Sequence, residues 1–351
     1  MIFYVLLVVL VVCLFLVAYK YPTTEKAISL TLLGIMILIG GFRDRIGWDY
    51  YSYTNWYLKG TRDDGLEFGF LGIMQAFRYL HLDYHFLFFF FSFFTYLFAY
   101  LGIRKYTKNS SLPLVLYVLM PVLFLHSFIY VRQFLSVTLA FYAFSFLLDK
   151  KYLNYFLLMF VGVSIHYSCL LPFLFFLIVY KWGIFINSRH LYLLMGVTFI
   201  IGQVGVIHWL GLLFTDSHYL FYVSAEFAVA VPLLKLLVIN AMGFLVIYYY
   251  DKYGFQHPNQ KYLLLLYVCS VLFLNLFSES VELSRLCIYF RIFEILSIAL
   301  IIYNALVNKQ FWLVGFLFFF YMFLFFRAIN FDYETAPENL KLIPYKSILF
   351  K

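Results

Sequence analysis

Apolar residues fill the chain in blocks that approach twenty positions, and the polar breaks between them are short. A bilayer core of roughly 30 Å is crossed by about twenty helical residues rising about 1.5 Å each. Blocks at 2–19, 27–41, 84–103, 112–128, 129–148, 190–211, 231–250, 260–277, 284–307 and 310–328 therefore predict membrane-spanning helices. Two stretches break the pattern. Residues 66–80, "LEFGFLGIMQAFRYL", are amphipathic, with Glu67 and Arg78 among apolar neighbours, and suit a helix lying on a surface. Residues 152–180 hold two apolar runs parted at "GVSIHYS", each short for a full crossing, which suits a hairpin reaching partway, with His166 near its tip. The opening block, Ile2 to Ala18, has no basic segment before it and no small-x-small cleavage site, so it reads as a retained span. The expected fold is all-α: one polytopic transmembrane domain over 1–351, with about 10–13 transmembrane or re-entrant helices.

Composition excludes a soluble domain. The 351 residues are 65% hydrophobic and 12% charged, and the mean hydropathy is +0.91. The +8 charge suits anionic headgroups of a lipid bilayer, and nothing suggests a nucleic-acid module. Cys13, Cys169, Cys269 and Cys287 lie inside apolar runs without ligand spacing, so they read as small core residues, and no metal or other cofactor is expected. Basic loops set the orientation. With Lys20, Lys26, Arg104, Lys105, Lys108, Lys150, Lys151, Lys181, Arg189, Lys252, Lys261 and Lys309 in the cytoplasm, every span threads without contradiction. Residues 42–83, 212–230, 278–284 and the tail 329–351 then lie outside. The threading also sorts by residue type: the cytoplasmic set is lysine apart from Arg104 and Arg189, whereas Arg43, Arg45, Arg62, Arg78, Arg132, Arg285, Arg291 and Arg327 fall on the outer side.

An arginine fork matches phosphate oxygens in pairs, where lysine acts as a point charge. The outer arginines therefore point to a phosphorylated ligand, against the plainer reading that each reaches for headgroups or a neighbouring acid. Arg132 and Gln133 sit slightly inside a span and need a polar partner; Arg291 has Glu294 three residues on, a spacing at which helical side chains pair. Asp49 reads either as a general base or as the ion-pair partner of Arg43 or Arg45. His166 reads as a base, a sugar-hydroxyl partner or a hydrogen-bonded structural residue. The run "WDYYSYTNWY" brings tyrosines of the kind that stack on sugars, although interfacial belts look the same.

These residues reach a resemblance. "GFRDRIGWDYYSYTNWY" resembles the Arg…Gly-x-Asp-x-x-x-Tyr signature of the EpsG-like family, which belongs with the Wzy polysaccharide polymerases. "LEFGF" is similar to that family's Glu-x-Gly-aromatic stretch, and "IYVRQFLSVTLAFYAF" to its Arg-Gln helix. "FVGVSIHYSCLLPFL" resembles its His segment, "SRLCIYFRIFEI" its Arg…Tyr-Phe segment, and "LIPYKSILF" its Pro-Tyr ending. Order and spacing over most of the chain carry the likeness. Ser136 and Leu139 depart from it, standing where small Ala or Gly residues are commoner.

The resemblance implies a GT-C-like, inverting, metal-independent glycosyltransferase of the bacterial inner membrane, its active site facing the periplasm or cell exterior. Such an enzyme polymerises undecaprenyl-diphosphate-linked repeat units into O-antigen, capsule or exopolysaccharide, with a chain-length regulator as a further partner. Asp49 is then the leading base with His166 as its competitor; Arg43, Arg45, Arg132, Arg285 and Arg291 hold the diphosphate. Tyr50, Tyr53, Glu67, Gln133 and Tyr289 contact sugar. A lipid-linked oligosaccharide flippase or another transporter would use the same outer arginines and aromatics as a binding site. An O-antigen ligase would share the donor chemistry but usually carries a larger outer loop than 42–83.

Overall fold

The computed structural model describes residues 1–60, 65–205, 229–254 and 258–350. Arg62 and most of the loop 212–230 lie outside the described residues. Those described are overwhelmingly helical, and their sole β-type pairing is an isolated bridge between Arg43 and Ser347. The helices are α1 (Ile2–Lys20), α2 (Glu25–Gly41), α3 (Tyr50–Lys59), α4 (Phe68–Tyr79), α5 (Tyr84–Tyr106), α6 (Ser111–Leu119), α7 (Val131–Leu148) and α8 (Tyr152–Ile165). There follow α9 (Leu170–Trp182), α10 (Ser188–Val204), α11 (Leu233–Tyr253), α12 (Pro258–Leu276), a broken α13 (Val281–Arg291), α14 (Glu294–Val307) and α15 (Phe311–Thr335). Among the described residues seven are long and apolar enough to cross a membrane, or eight if α13 and α14, bent by 50°, count as one.

Three elements differ from the expected blocks. The block 112–128 does not form one helix: α6 stops at Leu119, because Pro121 lacks an N–H to donate and drives Met120 into an extended conformation (φ −85°, ψ 102°). The block 284–307 breaks after Arg291, where the paired charges Arg291 and Glu294 flank the bend. The last helix runs on to Thr335, beyond the expected end at 328. Cys13, expected in a core, instead lies exposed on the outer surface of α1.

The chain divides into two compact units. The first comprises 1–170 and 302–351. Within it α5 packs on α2 and α7, and α7 packs on α8. Gly162 of α8 supplies the small residue at the α7–α8 crossing, its carbonyl accepting from Ser136 Oγ at 2.8 Å. Close helix approach therefore survives with Ser136 and Leu139 on α7. The second unit is 171–301. There α10, α11 and α12 are joined by a buried amide pair, Asn240 and Asn275, exchanging hydrogen bonds of 2.7 and 2.9 Å, with Thr198 beside it.

In the first unit the turn after α2 is built around Arg43, whose side chain is 0% exposed. Its guanidinium donates to Gly40 O, to Phe128 O at 3.1 Å and to Ser92 Oγ at 3.3 Å, and lies over the Phe88 and Phe128 rings at 5.0 and 5.3 Å. Burial pulls its pKa below the usual value, with nearby tyrosines opposing. Gly47, at φ +101°, brings the chain so near Phe128 that a Cβ would stand 2.5 Å from its carbonyl oxygen. The C-terminal segment then clasps this turn. Asp44 N donates to Lys346 O at 3.0 Å, Gly47 N to Leu340 O at 3.2 Å, and Ile348 N to Phe42 O at 3.0 Å.

Arg43, expected on phosphate, turns its donors inward onto the Gly40 and Phe128 carbonyls and the Ser92 hydroxyl. Arg45, two residues on at φ +53°, points its side chain to the exterior. Arg43→Lys keeps the charge but loses the fork that reaches three acceptors, and a hydrogen bond to a charged group is worth about 1.5–3 kcal/mol. Thermal unfolding of the purified protein should therefore occur markedly earlier for Arg43→Lys and be unchanged for Arg45→Lys; equal stability of the two variants would remove Arg43 from this role.

Candidate active site

Four separate stretches of the first unit meet around the Glu67–Arg132 pair. Helix α3 carries Tyr50, Tyr53 and Tyr57 on one buried face, at the i, i+3, i+7 spacing of an inward stripe. Helix α4 starts at Phe68 with Glu67 as its N-cap in extended conformation (φ −68°, ψ 140°), so the Glu67 side chain precedes the helix rather than decorating it. Arg132 stands in the first turn of α7. Helix α8 stops at Ile165, leaving His166 extended (φ −153°, ψ 114°) and its side chain free of the helical face.

Glu67 joins them. Its Oε2 pairs with Arg132 Nη1, and its Oε1 lies 2.6 Å from His166 Nδ1 and 3.3 Å from the Tyr167 amide nitrogen, which donates to it. Its side chain is 5% exposed, against 16% for Arg132 and 27% for His166. Burial works against the charge on Glu67, but the His166 hydrogen bond and the Arg132 charge outweigh it and hold the carboxyl below its ordinary range. Glu67 is thus anionic at neutral pH and can only accept, which puts a proton on His166 Nδ1. His166 Nε2 is left as the ring nitrogen that Glu67 does not engage. The Arg132 guanidinium also lies over three rings, Tyr53 at 5.8 Å, Trp56 at 5.2 Å and Phe70 at 5.1 Å.

A close helix approach sets this geometry. Gly69 lies against the Ser164 backbone, where a Cβ would strike Ser164 Oγ and stand 2.7 Å from the Ser164 carbonyl oxygen. Two residues before Gly69 is Glu67, and two after Ser164 is His166.

Asp49, the N-cap of α3, is half-buried, and its charge acts on Tyr53, the ring that also faces Arg132. Gln133 is buried. Tyr50, Tyr53 and Tyr289, expected to contact sugar, are buried at 2%, 4% and 0% exposure. Tyr50 is stacked on Phe88 at 4.7 Å and Tyr53 is edge-on to Trp56 and Phe70. Their ring faces are therefore spent on protein, and in the same run it is Trp48, exposed, and the half-buried Tyr51 and Trp56 that present aromatic surface. In the second unit Arg285 pairs with Glu282, and Arg291 Nε with Glu294 Oε2 at 2.7 Å, the spacing-based pairing.

Sequence reading passed over one cluster. Buried Asp44 accepts from Tyr50 Oη at 3.0 Å and faces His85 Nε2 at 3.6 Å, while His85 Nδ1 meets Asp83. The signal was the Asp-x-His spacing of "LDYH", where Asp83 caps α5 by accepting from His85 N.

Because Gly69 only spaces the site, Gly69→Ala should lower activity by pushing α4 away from α8 while leaving all the chemical groups in place. A 1 Å misplacement of a reacting group can cost about 10²-fold. The check is the activity of Gly69→Ala beside Gly72→Ala, whose Cβ would meet open space. Equal activity in the two would mean the α4–α8 contact does not position Glu67.

The family model for the EpsG family matches residues 26–347, which takes in the Arg43 turn, Glu67, Arg132, His166, Arg291 and the clasping tail up to Ser347. No curated protein and no solved structure matches the chain. With a match over most of its length, on an all-α polytopic membrane fold, the chain belongs to the EpsG family, a family of Wzy-like polysaccharide polymerase-type proteins.

Proposed function

We propose that the protein is an inverting, metal-independent polymerase that moves a growing glycan from undecaprenyl diphosphate onto the terminal sugar of another lipid-linked repeat unit, at the outer face of the bacterial inner membrane. The products are O-antigen, capsule or exopolysaccharide. The observation that carries this reading is the Glu67 carboxylate held between Arg132 and His166 in a chain of this family.

In this scheme an acceptor hydroxyl donates a hydrogen bond to His166 Nε2. Its oxygen attacks the anomeric carbon of the donor, the bond from that carbon to the diphosphate oxygen breaks with its electron pair leaving on the diphosphate, and the hydroxyl proton passes to Nε2. One displacement inverts the anomeric centre. Glu67 keeps the proton on Nδ1 and stabilises the imidazolium that forms, the part a carboxylate plays beside a catalytic histidine elsewhere. Charge growing on the diphosphate is met in the first unit by the Arg45 and Arg132 guanidinium groups. Trp48, Tyr51 and Trp56 give the acceptor sugar its flat surface. Asp49 is the other candidate base; His166 is preferred because the Glu67 carboxylate that orients its Nδ1 is itself held by Arg132.

The test is a purified full-length protein given a defined lipid-linked repeat unit. The wild type should yield a ladder of longer lipid-linked glycans, His166→Ala should lose about 10²–10⁴ in rate, and Asp49→Asn should retain most of it. The reverse pattern would transfer the base to Asp49. Substrate carried across a vesicle membrane without any ladder would make the protein a transporter, and a ladder absent while glycan moves to a different acceptor lipid would make it a ligase.

Orientation has its own measurement. Lys-rich loops inside put 42–83 outside, so Asn55→Cys, at an exposed position of α3, should react with an impermeant thiol reagent in intact spheroplasts. Labelling that needs permeabilisation would reverse the membrane sidedness and withdraw the outer-face chemistry.

A further inference from the structure

After α15 the chain makes one tight turn before it clasps the segment 42–47. Leu340 N donates to Pro337 O at 2.9 Å, which closes a turn with Glu338 and Asn339 at its central positions, both exposed. The turn is fixed at either end. Ahead of it Ala336 N donates to Asp332 O at 2.8 Å, and behind it Leu342 N donates to Asp332 Oδ2 at 2.7 Å. Leu340, whose carbonyl accepts from Gly47 N, is buried in one hydrophobic cluster with Tyr50, Tyr53, Val131 and Ile165. Val131 and Ile165 are the residues immediately before Arg132 and His166.

From this turn Asn339 Nδ2 donates to Tyr51 Oη at 3.1 Å. An amide has two N–H donors and a carbonyl oxygen, and this bond uses one donor. Tyr51 Oη accepts in it and still has its own proton to give. The Tyr51 ring is half-buried, in T-shaped contact with Tyr50 at 5.9 Å, and packs on the cluster that seats Leu340. A neutral hydrogen bond in reach of water adds little to stability, because water offers both groups equal partners, and backbone bonds already make the clasp. Beside Asn339, Glu338 is paired with Lys341 at 2.6 Å, and the Lys341 ammonium lies over the Tyr333 ring at 4.6 Å. The turn therefore offers an amide and a phenol beside a flat ring with its charges balanced, which suits the hydroxyls of a sugar rather than a phosphate.

We propose that Asn339 and Tyr51 form a sugar subsite for the acceptor glycan, which makes the C-terminal turn part of substrate recognition. This rests on the reading that the substrate is a lipid-linked glycan, and it adds a tail residue to the aromatic surface assigned to the acceptor. One sugar hydroxyl donates to Asn339 Oδ1, its neighbour accepts from Tyr51 Oη, and the Tyr51 ring lies against the C–H face of the sugar. An epimer with one of the two hydroxyls turned away keeps only one of these bonds, so the pair discriminates between sugars.

The test uses the full chain in phosphatidylcholine nanodiscs, with the repeat-unit oligosaccharide released from its lipid as the titrated probe and elongation of the lipid-linked repeat measured alongside. Asn339→Ala should weaken binding of the probe about threefold to tenfold, the range of a neutral hydrogen bond, and Tyr51→Leu at least as much. Tyr51→Phe separates recognition from tail fastening, because it removes the Asn339–Tyr51 bond and leaves the amide in place. In that background Asn339→Ala should weaken binding further. If it does not, Asn339 only fastens the tail and the proposal is overturned. If the wild type elongates the lipid-linked repeat but does not bind the probe, or Asn339→Ala binds it as the wild type does, the proposal fails while the polymerase reading stands. If the wild type neither elongates nor binds, that reading fails and the proposal with it.

Discussion

A carboxylate removed from water has to be answered by cations and donors, and in the first unit that requirement falls on Glu67. Its two oxygens face in different directions, one to Arg132 and one to His166 and the Tyr167 amide. Breaking a buried charged pair by removing one partner is costly, because the survivor stays buried and uncompensated. The start of α4, the first turn of α7 and the end of α8 are therefore tied to one another through a single side chain, and the aromatic floor of Tyr53, Trp56 and Phe70 forms beneath the guanidinium.

The two buried arginines of this unit solve the same problem by opposite routes. Arg132 has an acid partner and remains part of an ionisable cluster in which one imidazole nitrogen is not engaged by Glu67. Arg43 makes no ion pair among the described residues and spreads its charge over carbonyl oxygens, a hydroxyl and two phenyl faces. The first arrangement has chemistry left over; the second has none, and serves to hold the turn from which Asp44 and Asp49 depart. Charge gathered in "RDRIGWD" is thus divided between architecture and exposed surface within a few residues.

Local regularities were readable from the sequence and non-local ones were not. Run length located α1, α2, α5, α7, α11, α12 and α15, and the i+3 spacing of Arg291 and Glu294 forecast their pair because one helical turn brings such residues together. The stripe Tyr50, Tyr53, Tyr57 has the spacing of an inward face, but an aromatic-rich run of that kind has the same letters as a sugar-stacking surface. Arg43 and Arg45 look equivalent as letters; a left-handed backbone at Arg45 separates them, and no side-chain pattern announces it. The Glu67–Arg132 contact joins residues 65 positions apart and depends on the absence of a Cβ at Gly69, a fact about how α4 meets α8 rather than about either helix.

The clasp between the turn at 42–47 and the segment 340–348 constrains the parity of the membrane crossings. Backbone hydrogen bonds such as Asp44 N to Lys346 O require both segments to occupy the same aqueous side. However the short helices and the bent α13–α14 pair are tallied, the chain between them must therefore cross the bilayer an even number of times. The same rule applies on a smaller scale to Glu67 and Arg132. The stretch 111–130, in which α6 halts at Leu119, has to complete the return that α5 begins, part of it as irregular backbone shielded by protein.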